Sequence, residues 1–221
     1  MTYYPVFLNL KDKTALVIGG GMVAERKVKT LVECGADVRL VSPEMTAGLK
    51  QMSETEKISY AGPSFEEKHL DGVFLVFTAT NDKHLNHKIS RTAQARGLLV
   101  NAVDQPADCN FIVPAIIKRG DLQIAVSTSG KSPAFAKILK KRLDDEFGDE
   151  YQKFLELMGN IRKEVLSKGL PQNINMGIFN RIVQSGIPDL IKKGDWKEIR
   201  AILAELLPDD VSTEKIISKR V

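Results

Sequence analysis

The sequence predicts an α/β fold: a parallel sheet wound by helices, then a small β-hairpin, then an all-helical tail. Three observations predict it. Apolar runs alternate with stretches of helical period between Thr14 and Val100, as βα units do. One of those runs breaks into Gly19-Gly20-Gly21 and resumes at helical spacing. After residue 150 the apolar residues recur only at helix period.

Taken in order, Met1 to Asp12 is a short lead with Phe7 and Leu8 apolar, and Thr14 to Ile18 is the first strand. The glycines then match a dinucleotide fingerprint. Gly19 makes the turn, Gly21 lets backbone approach a pyrophosphate, and Ala24 lets the helix pack on its strand. A helix over 22–34, amphipathic through Val23, Val28, Leu31 and Val32, points its N–H groups and positive dipole end at the phosphates. GxGxxA alone is weak evidence, and a merely tight βα turn is the competing reading. The strand before it, the helix after it and a second strand over 36–41 favour the dinucleotide. That second strand stops at Ser42-Pro43, with Glu44 beyond. An acid is wanted about 20 residues past the glycines to accept the ribose hydroxyl, so Glu44 comes late.

Lys57 to Tyr60 reads as a short third strand and Gly72 to Thr80 as a buried central one. Thr80-Asn81-Asp82 caps a helix that runs to Arg96, Gly97 ends it, and Leu98-Leu99-Val100 forms a fifth strand. The rhythm changes after Asn101-Ala102-Val103-Asp104. Phe111–Ile117 and Leu122–Ser127 read as a hairpin turning at Arg119-Gly120-Asp121. Ser132-Pro133 opens another helix. In the tail, Tyr151, Phe154, Leu155, Met158, Ile161, Val165 and Leu166 make one stripe, and Asp195 to Glu198 has capping-box spacing before another. Such stripes pack on the α/β domain or on a second chain, and spacing does not choose. The organisation expected is a Rossmann-like domain over 1–110, a hairpin-and-helix dimerisation region over 111–145 and a helical domain over 146–221.

With 221 residues, 43% hydrophobic, and a net charge of +4, the chain can bury a full core and carries too little positive charge to argue for nucleic acid. No run of about 18 apolar residues or signal segment is seen, so no membrane partner and a cytoplasmic location are expected. Cys34 and Cys109 are expected as buried small residues. His84 and His87 share a helical face, but no third ligand joins them, so a surface pair is expected rather than a metal site. Lys118, Arg119, Lys131, Lys137, Lys140, Lys141 and Arg142 suit a substrate with several carboxylates, or in part a solvated face. Lys131, in a glycine loop, is the strongest single candidate.

Six motifs together resemble one family: Tyr4-Pro5-Val6-Phe7, Gly19 through Lys27, Ala79-Thr80-Asn81-Asp82, Asn101-Ala102-Val103-Asp104, Phe111-Ile112-Val113-Pro114-Ala115, and Ser127-Thr128-Ser129-Gly130-Lys131-Ser132-Pro133. The family is precorrin-2 dehydrogenase/sirohydrochlorin ferrochelatase, also the N-terminal half of siroheme synthase. The resemblance implies NAD-dependent oxidation of precorrin-2 to sirohydrochlorin and, in bifunctional members, insertion of Fe2+ as a second substrate. It implies a homodimer joined through the hairpin region and tail, with the active site between the two parts. No methyltransferase half is expected, so the preceding methylations would fall to another protein.

It implies cofactor contacts at Gly19, Gly20, Gly21, Met22, Val23, Ser42, Pro43, Glu44, Thr80 and Asn81, a catalytic carboxylate at Asp104, and substrate contacts at Asn101, Thr128 and Lys131. Thr128 stands where the family can carry a phosphorylated serine. No resident metal is expected. By position alone Asp104 is equally a turn residue before Pro106. The absence of a basic residue directly after Val41, with Glu44 nearby, favours NAD over NADP. A rival from another class is an NAD(H)-sensing module that binds without turnover.

Overall fold

The structure is a computed structural model and describes residues 3–217; the ends of the outer domain ranges expected above, 1–2 and 218–221, lie outside the described residues. Two compact units are found, the first ending at Val113 and the second beginning at Pro114.

The first unit runs β1 (Thr14–Ile18), α1 (Met22–Glu33), β2 (Asp37–Val41), α2 (Ala47–Glu54), β3 (Ser59–Gly62), β4 (Val73–Thr78), α3 (Lys83–Ala95) and β5 (Leu99–Ala102). All strand pairs are parallel, in the order β3-β2-β1-β4-β5. The chain therefore winds outward from β1 in one direction and, after β3, crosses to the other side. The gap between β1 and β4 is the switch point at which such sheets bind ligands.

Side chains of β1 alternate between two cores. Ala15 and Val17 join α1 and α2 residues (Ala24, Val28, Leu31, Leu49) on one face, and Leu16 and Ile18 join Ile89 and Ala93 of α3 on the other. Residues 15–18 are almost wholly buried, which is why this strand reads as one continuous apolar run.

Two expectations change here. α2 is not foreseen from the sequence, because Leu49 is its one buried residue and no apolar stripe announces it. Cys34 is exposed where α1 ends, not buried, while Cys109 is buried as expected.

The second unit has an antiparallel pair, β6 (Ala115–Arg119) and β7 (Leu122–Val126), then α4 (Pro133–Glu146), α5 (Glu150–Leu166), α6 (Gln172–Val183), α7 (Ile187–Lys193), α8 (Trp196–Leu206) and α9 (Thr213–Ile217). β6 starts four residues later than expected, since residues 111–114 are not strand. Ser132 caps α4, its hydroxyl accepting from Phe135 N at 3.2 Å. Asp195 caps α8 by accepting from Glu198 N at 3.1 Å, one half of the expected capping box. Most of the α5 stripe is covered within the tail: Phe154, Ile161 and Val165, joined by Leu157, which the stripe did not include, meet Ile182, Ile191, Ile199 and Leu203 in a core of their own, whereas Leu166 of the stripe is exposed. No described helix is long and apolar enough to cross a membrane.

One buried carboxylate ties α1 to the loop before α2. Glu25, 8% exposed, accepts from Lys29 Nζ and from Thr46 Oγ1, each at 2.5 Å. These hydrogen bonds, Lys29's first, hold its carboxyl below the ordinary value. A depressed carboxyl adds stability that is present above the unfolded pKa and lost as pH falls through the folded one. Glu25→Gln should therefore lower the urea midpoint at pH 7, with the difference from the parent shrinking below about pH 4. A gap of the same size at pH 3 and pH 7 would mean that the charge contributes nothing.

Candidate active site

The parallel register brings the carboxyl ends of β1, β2 and β4 level, Ile18 pairing with both Val41 and Thr78. Gly19 leaves β1 at φ +118°, donating to Val41 O at 2.9 Å, while Ala79 N donates to Ile18 O at 2.7 Å. A Cβ on Gly19 would strike the Ala79 carbonyl, and one on Gly20 would strike the Glu44 carbonyl. At Gly21, by contrast, the space is open. Here the chain turns into α1 with no side chain capping its first N–H groups, which leaves them directed at a ligand.

A cleft of about 680 Å³ opens at this edge. It is lined by Gly19, Gly20, Gly21, Ser42, Pro43, Glu44, Thr80 and Asn81, so eight of the ten expected cofactor positions meet in one place. Met22 lies beside them, exposed at the start of α1, and Val23 lines a second cavity instead. The sequence reading did not include Met45, Thr46, Pro63, Ser64 and Phe65, which complete the wall from the loops after β2 and β3. Gly62-Pro63 at the end of β3 was the available signal.

Backbone pins hold the walls. Thr46 N donates to Gly20 O at 3.0 Å, and Ser42 Oγ donates to Glu44 O at 2.6 Å. Buried Asn86 of α3 accepts from Thr80 Oγ1 at 2.8 Å and donates to Thr80 O at 2.9 Å. Among the described lining residues Glu44 is the one ionisable side chain, and no Lys or Arg joins it. Backbone N–H groups suit a pyrophosphate, and an acid without a base suits a ribose diol better than a ribose phosphate.

The second cavity, about 270 Å³, lies within the first unit at the end of β5. Asp104 lines it, exposed and with backbone φ +58°. Its carboxylate has no hydrogen-bond or ion-pair partner among the described residues. Asn101 lines it too, its amide donating to Phe111 O at 3.1 Å. The supporting loop is fastened to β5: Ala102 N donates to Cys109 Sγ at 3.1 Å, and Val100 N to Asn110 Oδ1 at 2.7 Å. Burial pushes the Cys109 thiol up, away from reactivity.

His87 is more than a surface residue. Its Nδ1 pairs at 2.6 Å with the buried Asp108, which also accepts from Gln105 at 3.1 Å.

Arg26 and Lys27, missed as site residues, line this cavity with Val23. Their spacing from Val23, three and four residues on, was the signal that they share a helical face. Burial first, then the neighbouring Arg26 charge, lowers the Lys27 ammonium below its ordinary value.

In the second unit Thr128 and Lys131 belong to the loop between β7 and α4, where Lys131 N donates to Thr128 O at 3.0 Å and Ser132 N to Thr128 Oγ1 at 3.2 Å. Lys131 is exposed. Arg119, counted among the basic candidates, is taken up by Asp144 at 3.0 Å.

Comparison with known proteins follows the same division. Residues 6–115 match a family described as putative NAD(P)-binding, and residues 119–146 match the central part of sirohaem biosynthesis proteins. Siroheme synthases of Photobacterium profundum and Zymomonas mobilis are 33% and 35% identical over 93% and 95% of this chain, which covers 44% and 45% of theirs. The chain thus spans less than half the length of these relatives. A solved structure of SirC, a precorrin-2 dehydrogenase, superposes with a TM-score of 0.78 at 26% identity, covering 92% of this chain and 98% of that one.

The glycine turn makes a direct prediction. Gly20→Ala, whose new Cβ meets backbone rather than a movable side chain, should weaken dinucleotide binding at least 10-fold and lower the unfolding midpoint, because overpacking costs about 1–3 kcal/mol. Titration of NADH fluorescence alongside thermal unfolding checks both; an alanine variant with parental affinity would contradict the close approach.

Proposed function

Since the chain belongs to the family that forms the NAD(P)-binding and central part of siroheme synthases, we propose that it is an NAD-dependent dehydrogenase that oxidises precorrin-2 to sirohydrochlorin. The observation that carries the proposal is the unpartnered Asp104 carboxylate at the same sheet edge as a cleft built for a dinucleotide. The likeness to a precorrin-2 dehydrogenase over nearly the whole chain supports it.

Bound NAD supplies the hydride acceptor. The substrate loses two hydrogens, one as hydride and one as a proton, and Asp104 is the base for the proton. Gly19, Gly20 and Gly21, with the backbone N–H groups of Met22 and Val23 in the first turn of α1, hold the pyrophosphate, while the Val23 side chain lines the other cavity. Ser42, Pro43 and Glu44 serve the adenosine side, and Thr80 and Asn81 close the opposite wall. Asn101 orients substrate beside Asp104, and Thr128 and Lys131 bind its polar periphery.

We extend the proposal to Fe2+ as a second substrate. Entry of the cation displaces two pyrrole N–H protons, which Asp104 takes one at a time, passing the first to solvent before it accepts the second. The reaction takes place in the cytoplasm, in a homodimer. The domain assignment of 1–110 for NAD, 111–145 for dimerisation and 146–221 for the helical domain goes with this reading. Support for the dimer comes from α4, which has no buried residue in the single chain and exposes Phe135 and Ile138 to 53% and 52%. The tail stripes add less support, because most of their residues cover one another, while Leu166 stays exposed.

Incubation with precorrin-2 and NAD, with and without Fe2+, followed by absorbance, tests the activity; NADH binding without consumption of precorrin-2 would make the protein a sensor instead. Asp104→Ala should keep NADH affinity and lose about 10²- to 10⁴-fold in turnover, the usual cost of a general base. Near-parental turnover would make Asp104 a turn residue. For the dimer, Phe135→Asp with Ile138→Asp should give a monomer by sedimentation, and a persisting dimer would move the interface elsewhere.

A further inference from the structure

We propose that Lys27, aided by Arg26, determines substrate specificity by binding a carboxylate of the tetrapyrrole inside the cavity that Asp104 lines. The inference rests on the dehydrogenase reading above and goes beyond it by assigning a substrate contact to the helix otherwise used for the dinucleotide.

Four observations carry it. Lys27 is half-buried, yet no carboxylate pairs with it among the described residues, whereas Lys29, two residues on, has Glu25. A partly desolvated ammonium without a counter-ion is unfavourable unless something compensates it. What the fold supplies is the face of Phe77, whose ring centroid lies 5.4 Å from Nζ. Phe77 is itself fixed, 4% exposed in β4 and edge-to-face with Phe111 at 5.6 Å. The ammonium is thereby held on one side, in a residue that lines the cavity.

The cavity carries two cations, Arg26 and Lys27, against one acid, Asp104, with Val23, Pro106, Ile112 and Val113 as apolar wall. Its surplus charge calls for an anion. Finally, size narrows the choice of occupant. At about 270 Å³ it falls just below the 300–1,000 Å³ typical of sites for whole drug-sized ligands. It has room for one acidic arm of a macrocycle. A carboxylate there stabilises the Lys27 charge that burial disfavours and fixes the ring relative to Asp104.

The test uses the full chain and uroporphyrin, a polycarboxylate porphyrin whose fluorescence reports binding, beside precorrin-2 turnover. Lys27→Met keeps the stem over Phe77 and removes the charge; Lys27→Arg keeps the charge. We expect Lys27→Met to weaken uroporphyrin binding about 10- to 100-fold, the cost of losing a charge-assisted hydrogen bond. The precorrin-2 KM should rise by a similar factor with kcat changed less. Lys27→Arg should recover most of both, and NADH affinity and unfolding midpoint should hold in each variant. Parental uroporphyrin affinity in Lys27→Met overturns the inference while leaving the dehydrogenase intact. So does a parallel loss of NADH affinity or fold, which would make Lys27 structural. A parent protein that neither binds uroporphyrin nor consumes precorrin-2 defeats the dehydrogenase reading, and this inference with it.

Discussion

At the end of β1 there is no room for a side chain. Gly19 lies against the Ala79 carbonyl and Gly20 against the Glu44 carbonyl, so the backbones that follow β1, β2 and β4 close on one another. Everything functional in the first unit is placed by that contact. It aims the start of α1 at the cleft, sets Ser42 and Thr80 on facing walls, and through the β4–β5 register brings Asp104 out at the same edge. Substitution at this point is expensive because the obstacles are carbonyl groups locked in sheet and turn hydrogen bonds.

Around that contact the polar side chains divide the labour. Glu25 with Thr46 fastens the β2–α2 loop, Asn86 fastens the β4–α3 loop, and Asn110, Cys109 and Asp108 fasten the segment that carries Asp104. Each is internally satisfied, which is how loops near a site can be both polar and fixed. The two cavities then differ in sign. The first offers an acid and backbone donors; the second offers two cations and one acid. The two cavities are thus distinguished by charge along one sheet edge.

The five strands and the glycine turn were legible because buried parallel strands read as unbroken apolar runs and the turn requires particular residues at particular places. What escaped had weak local signals. α2 buries only Leu49. Residues 111–114 look like strand, but Asn101 and Asn110 tie the stretch to β5 through side chains. Cys34 follows the last turn of α1, where accessibility depends on what packs alongside. Arg26 and Lys27 sat inside a recognised motif and were still missed, since the direction of a helical face is a tertiary fact. For the same reason the tail stripes were ambiguous until their partners were seen to be each other.

The tail's private core bears on how the chain loses its structure. The first unit's cores join strands through long crossovers, while the tail's core is drawn from one continuous run of helices, α5 to α9, in which α5 packs on α7 and α9 as well as on its neighbour α6. Local contacts form and re-form quickly, and distant ones slowly. A chain with two such cores has no obligation to melt in a single step. Its helix signal in circular dichroism reports heavily on the second unit. A far-ultraviolet melting curve can therefore look sound while the dinucleotide cleft has already come apart, and the fluorescence of bound NADH is the better witness to the first unit's integrity.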